Sequence, residues 1–327
     1  MIKNQKGIAL LTVLWVLTIL MVIALSFTFL TGTETHSTLY FKEGIENRFL
    51  AEAGIERGVM ELFYRQKYLG ATALLEGNEL WKTDGSPYSI PLGDGTYTVR
   101  IYDETGKIDL NSGDVTLLRS LLTNLGVTGD DLETIVDSIQ DWRDKDDLTR
   151  LHGAESDYYL SLPNPYKAKN ADFDSIEELI MVKGITRELL YGTEKKKGLI
   201  DFLTVQGKTN KVNANAAPKE VLMTVPGMST EAAEAIIEFR QKQEFKNIQE
   251  LTPLLGTNAA QIMPFIAIAP STTFTIESFG YRKKPRLGTG IRATVTLQGN
   301  NSYKILYYKT PVILKPDETT PYVPSSL

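Results

Sequence analysis

Between residues 141 and 157 the chain reads DWRDKDDLTRLHGAESD, which brings Asp141, Asp144, Asp146, Asp147, Glu155 and Asp157 close together in sequence. Asn170, Asp172 and Asp174 follow after a loop. Crowded carboxylate and amide oxygens suit a hard divalent cation, and Ca2+ takes roughly six to eight such ligands at about 2.4 Å. The spacing is not that of an EF-hand. Asp144, Asp146 and Glu155 fall at loop positions one, three and twelve, but Leu148 and Thr149 occupy positions five and six. A solvated acidic loop, its charge partly offset by Arg143, Lys145 and Arg150, would use the same residues without a metal. A catalytic carboxylate pair is the weaker reading, because no base, cleft or nucleophile can be assigned beside these acids. No residue is therefore assigned as catalytic and the chain is not read as an enzyme; a membrane-anchored hydrolase using this loop is the rival.

Other chemistries are bounded by composition. With no cysteine and only His36 and His152, the chain has neither disulfides nor a structural zinc site. No G-x-S-x-G elbow supports serine hydrolase chemistry. Net charge is −5 and the pI about 5.3, which leaves no basic footprint for nucleic acid. Residues 212–251 nonetheless have the form of a helix–hairpin–helix unit, with Pro226-Gly227-Met228-Ser229-Thr230-Glu231 as the hairpin. In nucleic-acid versions the hairpin offers backbone N–H groups to a phosphate. Here Glu220, Glu231, Glu234 and Glu238 crowd the same helices, so the unit reads as a packing element and DNA is not an expected partner.

These residues must be carried on a scaffold, and its start is distinctive. Lys3 and Lys6 precede Gly7, after which no charged side chain occurs until Glu34. Such a run can cross a bilayer as a helix, and it exceeds the roughly 7–15 residues of a secretory signal core. The basic residues place the N-terminus in the cytoplasm and the rest of the chain outside, giving a single-pass inner-membrane protein. Phe27, Phe29 and Tyr40 would mark the outer lipid boundary, with Trp15 inside the span. Residues 34–68 continue without proline, with Leu39, Ile45, Phe49, Leu50, Ala53, Val59, Leu62 and Phe63 at helical spacing, so residues 8–68 read as one long helix. Gly44, Gly54 and Gly58 weaken it by up to about 1 kcal/mol each.

Strands are expected at Thr96 to Tyr102, at Ile108 to Leu110, and over 274–281, 290–300 and 303–314, around an almost wholly helical stretch from 114 to 266. Trp142 is expected as a core anchor. Residues 176–190 and 220–237 echo one another in the order apolar, glycine, apolar, polar, helix. The arrangement is α+β: a long N-terminal helix on a small antiparallel sheet, with a large all-helical, SAM or helix–hairpin–helix-like domain inserted. The divisions are a leader over 1–7, a transmembrane half over 8–33, a discontinuous α/β domain over 34–111 and 270–314, an inserted domain over 112–269 and a loose tail over 315–327.

The short polar leader ending at Gly7 resembles that of type IV pilin-like proteins. Together with FLAEAGIERG (49–58), DETGKIDLNSG (103–113), DWRDKDD, HGAE and VNANAAP, the chain resembles the minor pseudopilin K family of type II secretion systems. The resemblance implies cleavage between Gly7 and Ile8 by the prepilin peptidase and N-methylation of Ile8. It places Thr12 at mature position five, where most pilins carry glutamate. That acid pairs with the N-terminal amine of the subunit above, and a tip subunit has none above, so an acid there would be buried unpaired. It further implies a subunit that caps the pseudopilus tip, helps to initiate assembly and serves protein export across the outer membrane. The implied partners are the I-type and J-type minor pseudopilins, the major pseudopilin, the prepilin peptidase and the inner-membrane secretion platform. Calcium is implied in the inserted domain, which makes Asp141, Asp144, Asp146, Asp147 and Glu155 the candidate ligands. The rival within the pilin-like class is a competence-type, DNA-handling minor pilin using the hairpin unit.

Overall fold

The computed structural model describes residues 6–68, 80–193, 195–282, 288–299 and 301–312. Residues 1–5 of the leader and the tail expected over 315–327 lie outside the described residues. Helix α1 (Lys6–Tyr68) runs unbroken for 63 residues, about 95 Å at the α-helical rise. Among the described residues it is the one helix long and apolar enough to cross a membrane. Its residues 9–35 are exposed, including Leu14, Trp15, Phe27 and Phe29. Its second half is amphipathic: Ala51, Ile55, Val59 and Leu62 share one face and are buried.

That face lies on a five-stranded antiparallel sheet in the order β1 (Tyr88–Leu92), β2 (Gly95–Asp103), β7 (Thr273–Tyr281), β8 (Thr289–Gln298), β9 (Ser302–Val312). Tyr97, Val99 and Ile101 alternate inward from β2 and meet Ile276 of β7 and Ile291, Ala293 and Val295 of β8 beneath the helix. Two glycines set how near helix and sheet come. A Cβ at Gly54 would collide with the Ser278 hydroxyl, and one at Gly280 with the backbone of Asn47 and Ala51. The glycine in the helix therefore does more than weaken it: it makes room for the Ser278 and Tyr97 side chains, while Gly280 in the strand lets the helix backbone come close.

Between β2 and β7 the chain leaves the sheet and builds a helical domain. Its main helices are α2 (Val115–Asn124), α3 (Gly129–Arg143), α4 (Ser156–Leu160), α5 (Arg187–Tyr191), α6 (Lys219–Leu222) and α7 (Thr230–Lys242). They enclose the larger core, with Trp142, Tyr159, Leu121, Ile139, Leu190 and Ile236 fully buried. The Trp142 indole N–H donates to Glu178 at 2.8 Å and its ring meets Tyr159 edge-on at 5.1 Å. One expected element changes allegiance. Strand β3 (Ile108–Asp109) does not join the main sheet; it pairs in parallel with β4 (Leu203–Thr204), and Ile108 and Leu110 sit in the helical core. The tight turn at Glu104–Gly106 redirects the chain before these apolar side chains can face α1. A second short parallel ladder joins β5 (Val212–Asn213) to β6 (Ile266–Ala267).

The exit and re-entry of the inserted domain are tied by one polar cluster. The Asp103 carboxylate accepts from the Thr105 N–H at 2.9 Å, the Thr105 hydroxyl at 2.6 Å and the Ser271 N–H at 3.1 Å. Asn213 donates to Asp103 at 3.4 Å and to the Ala269 carbonyl at 3.2 Å. Asn215 donates to Phe245 and Ile268 carbonyls, and Arg240 donates to Ala214 at 3.0 Å and Ala217 at 2.6 Å. At the C-terminal end of α1, Arg65 bridges to Glu244 at 2.5 Å and Lys82 donates to the Gln241 carbonyl at 2.7 Å. On the other flank the Tyr307 hydroxyl of β9 donates to Glu177 at 2.8 Å. The inserted domain is thus bolted to the far end of the long helix and to the sheet's last strand.

Substitution Gly54→Val should force the helix off the sheet and lower stability by about 1–3 kcal/mol. Gly44→Ala, where nothing lies within 4 Å of the added carbon, should raise it by about 0.5–1 kcal/mol. Denaturant titration of the full chain in micelles measures both.

Candidate functional site

The acidic segment is held between the end of α3 and the start of α4. Asp141 lies in the last turn of α3 and is fully buried. Arg150 folds back onto it: the guanidinium reaches Asp141 at 2.6 Å and also bridges to Asp144, and the Arg150 N–H donates to Asp141 at 3.2 Å. Gly153 lets the loop close over Asp141, since a Cβ there would strike the carboxylate. Asp146 accepts from the Leu148 N–H at 2.9 Å, fixing the bend of the loop. Asn170 donates to the Asp146 carbonyl at 3.1 Å and the Asp147 carboxylate at 2.9 Å, which pins the loop to the segment before Asp172.

Glu155 stands apart from the other four. It is 3% exposed, and neither carboxylate oxygen has a hydrogen-bond partner. One oxygen of Asp144 and the side-chain carbonyl oxygen of Asn170 are likewise buried and unsatisfied. Burial first, and then the nearby charges of Asp141, Asp144 and Asp147, push the Glu155 carboxyl up to about 7. Arg150 is spent on Asp141 and Asp144. Among the described residues no group of three or more His, Cys, Asp or Glu side chains is arranged to hold a metal ion. Of the five predicted ligands, Asp141 and Asp144 are gathered by Arg150, Asp146 and Asp147 are held by Leu148 and Asn170, and Glu155 has no partner, so they do not form a ready-made coordination sphere. What remains unanswered in the cluster is negative and oxygen-rich, which is the donor chemistry of a hard cation.

The hairpin of the helix–hairpin–helix unit is buttressed by protein. Gly227 adopts the left-handed conformation, its carbonyl accepts from Asn258 at 2.9 Å, and Gln261 covers the place a Cβ would take. Ser229 caps α7 by accepting from the Ala232 N–H at 3.1 Å. In the echoing hairpin, Gly184 packs on Ile135, and Lys183 is consumed by the carbonyls of His152 and Gly153. Glu231, Glu234 and Glu238 are exposed along α7. Nothing in this arrangement favours a phosphate.

At the other end of the molecule, Gly7 and Ile8 lie within the first turns of α1. Thr12 is exposed on the same helix and its hydroxyl donates to the Ala9 carbonyl at 2.8 Å, so its polar group is satisfied within its own turn. Sequence reasoning missed the buried acids of the joint. Asp103, Glu104 and Asp109 are all buried; Asp109 accepts from the N–H groups of Asn111, Ser112 and Lys208. The readable signal was the spacing of each aspartate two residues before Thr105 or Asn111, the pattern of a carboxylate that caps its own turn.

A family model described as type II secretion system protein K matches residues 101–194, and one for the helix-hairpin-helix motif matches 207–262. Two curated relatives, both type II secretion system protein K, cover most of the chain. That of Pseudomonas aeruginosa is 25% identical over 269 residues, 76% of this chain and 77% of the relative. That of Pectobacterium carotovorum is 25% identical over 295 residues, 84% and 88% respectively. Over most of its length the chain is similar to type II secretion system protein K. It is a minor pseudopilin of type II secretion. The fold agrees: a solved structure of the GspK-GspI-GspJ complex from enterotoxigenic Escherichia coli superposes with a TM-score of 0.59 at 16% identity, covering 85% of this chain and 99% of that one. The family match over 101–194 takes in both the joint at Asp103 and the acidic loop. In this chain the first lies at the end of β2, where the inserted domain is anchored, and the second lies within the inserted domain.

The metal-free chain should show that charge in its pH dependence. A carboxyl whose folded value lies near 7, above its ordinary 4.5, binds a proton preferentially in the folded state. Folding is then favoured as pH falls from about 7 to 4.5, and up to about 3 kcal/mol is lost as pH rises through the same window. Thermal melts in chelator should show this slope in the wild type, and Glu155→Gln should flatten it.

Proposed function

We propose that this subunit occupies the tip of the pseudopilus, where it closes the filament, helps to start its assembly and thereby serves protein export across the outer membrane. The observation that carries this reading is the placement of the inserted domain. It is bolted at Arg65 to the C-terminal end of α1, the end opposite the apolar half, where it would obstruct a subunit stacked above. The charge-free half of α1 supports the same position. With Thr12 bonded to Ala9 and no acid nearby, the apolar half asks nothing of an overlying N-terminal amine. In this reading the apolar half holds the precursor in the inner membrane, N-terminus inside. The prepilin peptidase cuts between Gly7 and Ile8, Ile8 is N-methylated, and the exposed helix face then packs against neighbouring pilin helices. The I-type and J-type subunits are its nearest partners, followed by the major pseudopilin and the secretion platform.

Mass spectrometry of the chain recovered from assembled pseudopili should show Ile8 as an N-methylated first residue; a chain that still carries residues 1–7 there overturns the processing step. Thr12→Glu should cut secretion by about tenfold, because it buries a carboxylate without a partner.

A calcium ion is the second part of the reading. Glu155, Asp144 and Asn170 present unsatisfied buried oxygens, and Asp141, Asp146 and Asp147 stand beside them. When bound, the ion supplies positive charge that fixes the loop in a chain without disulfides. Calcium should raise the melting temperature more at pH 7.5 than at pH 5, since it competes with the Glu155 proton. Glu155→Gln should remove most of that gain; isothermal titration calorimetry with the full chain checks the binding itself.

A further inference from the structure

The acidic loop does something else that neither a metal nor the fold requires. It holds Leu148 at 76% and Leu151 at 89% exposure; outside α1 no other large apolar side chain among the described residues is as open to water. The loop is not slack there. The Asp146 carboxylate takes the Leu148 N–H, Asn170 pins the Asp146 carbonyl, Arg150 between the two leucines is drawn inward, and the His152 N–H donates to Asp137 at 3.1 Å. A pinned loop that keeps two leucines in water exposes apolar area that burial would recover, at about 25 cal/mol per Å2.

The leucines do not stand alone. Lys183 donates to the carbonyls of His152 and Gly153, which follow Leu151 in the chain, and lies 4.9 Å from the centre of the Tyr158 ring; Tyr158 is also exposed. The charges around these residues are lopsided. Arg150, its side chain 37% exposed, and Lys183 are bonded to partners in the domain, whereas Asp146, Asp147 and Asp157 are exposed, with Lys145 an opposing exposed charge on the loop. The sheet edge is less suited to recognition: β9 carries Lys304, Lys309, Pro311 and register irregularities against β8, all of which discourage strand addition.

We propose that Leu148 and Leu151 form an apolar knob with an acidic collar, which docks into a protein partner offering an apolar pocket rimmed by lysine or arginine. Leucine anchors in a pocket supply the affinity, and the collar selects the partner and speeds its approach. The knob lies on the inserted domain, apart from the face of α1 that meets other pilin helices. The proposal rests on the reading that this subunit works in secretion, and its partner is one met by the inserted domain after assembly.

The test is complementation of a strain lacking this subunit, scored by secreted activity, with subunit level, melting temperature and co-purification with the I-type and J-type subunits measured alongside. If the wild-type chain does not restore secretion, the functional reading fails before the knob is addressed. Given restoration, the Leu148→Ser, Leu151→Ser double variant should keep its level, melting temperature and co-purification yet secrete about tenfold less. The Leu148→Met, Leu151→Met pair should secrete as the wild type does. Asp157→Lys, which touches neither leucine nor the loop's pins, should lower secretion a few-fold. Wild-type secretion by the serine pair overturns the knob. Should the serine pair lower the melting temperature, Asp157→Lys decides, and unchanged secretion there overturns the docking surface.

Discussion

Asp103 is a carboxylate taken out of water at the point where the chain departs from its sheet. Burial pushes its pKa above the ordinary carboxylate range, and donors from Thr105, Ser271 and Asn213 oppose that shift by stabilising the charge. Such a group is costly unless its lone pairs are met. Ser271 belongs to the returning segment and Asn213 to the heart of the inserted domain. The inserted domain therefore cannot swing away from the sheet without stranding a charge in a dry place. A flexible tether would have held the two parts together just as well in sequence terms, but not in one orientation.

Orientation matters because of what the long helix offers. Among the described residues its lower half packs against no other element, and the large apolar side chains from Leu10 to Leu30 are exposed. Its upper half is committed to the sheet through Ala51, Ile55, Val59 and Leu62, with glycines bringing the backbones together. With the Asp103 joint, the Arg65 to Glu244 bridge and the Tyr307 to Glu177 contact all in place, force or position transmitted up the helix reaches the inserted domain through rigid links. The same rigidity keeps the acidic loop's leucines and its unpaired Glu155 at fixed places on the domain's surface and interior.

The long helix, the bounding strands and the insertion between them were legible in the chain, because each rests on local pattern. A charge-free run, a 3.6-residue apolar stripe and period-two alternation need no distant partner to be recognised. The strand at Ile108 was legible as a strand but not as to its mate. Pairing is decided by where the turn at Glu104–Gly106 points the chain, and by which core has room for Ile108 and Leu110. Gly54 and Gly58 were misjudged for a similar reason, whereas Gly44 has nothing within 4 Å and only weakens the helix. Propensity counts what a glycine costs its own helix and is silent on the sheet that comes within contact of it.

The acidic segment divides most sharply. Residue types alone established that a dense patch of hard oxygen donors exists and that the chain has no cysteine and two histidines, and they weighed against a phosphate at the hairpin unit. They could not rank the acids, since charge and spacing look alike for Asp141 and Glu155. Folding separates them by giving Arg150 to Asp141 and Asp144 and leaving Glu155 buried with no partner. Which carboxylate is neutralised by a neighbour, and which is left to a proton or a cation, depends on distances between residues that are not adjacent in the chain, and those distances exist only once the core around Trp142 and Tyr159 has closed.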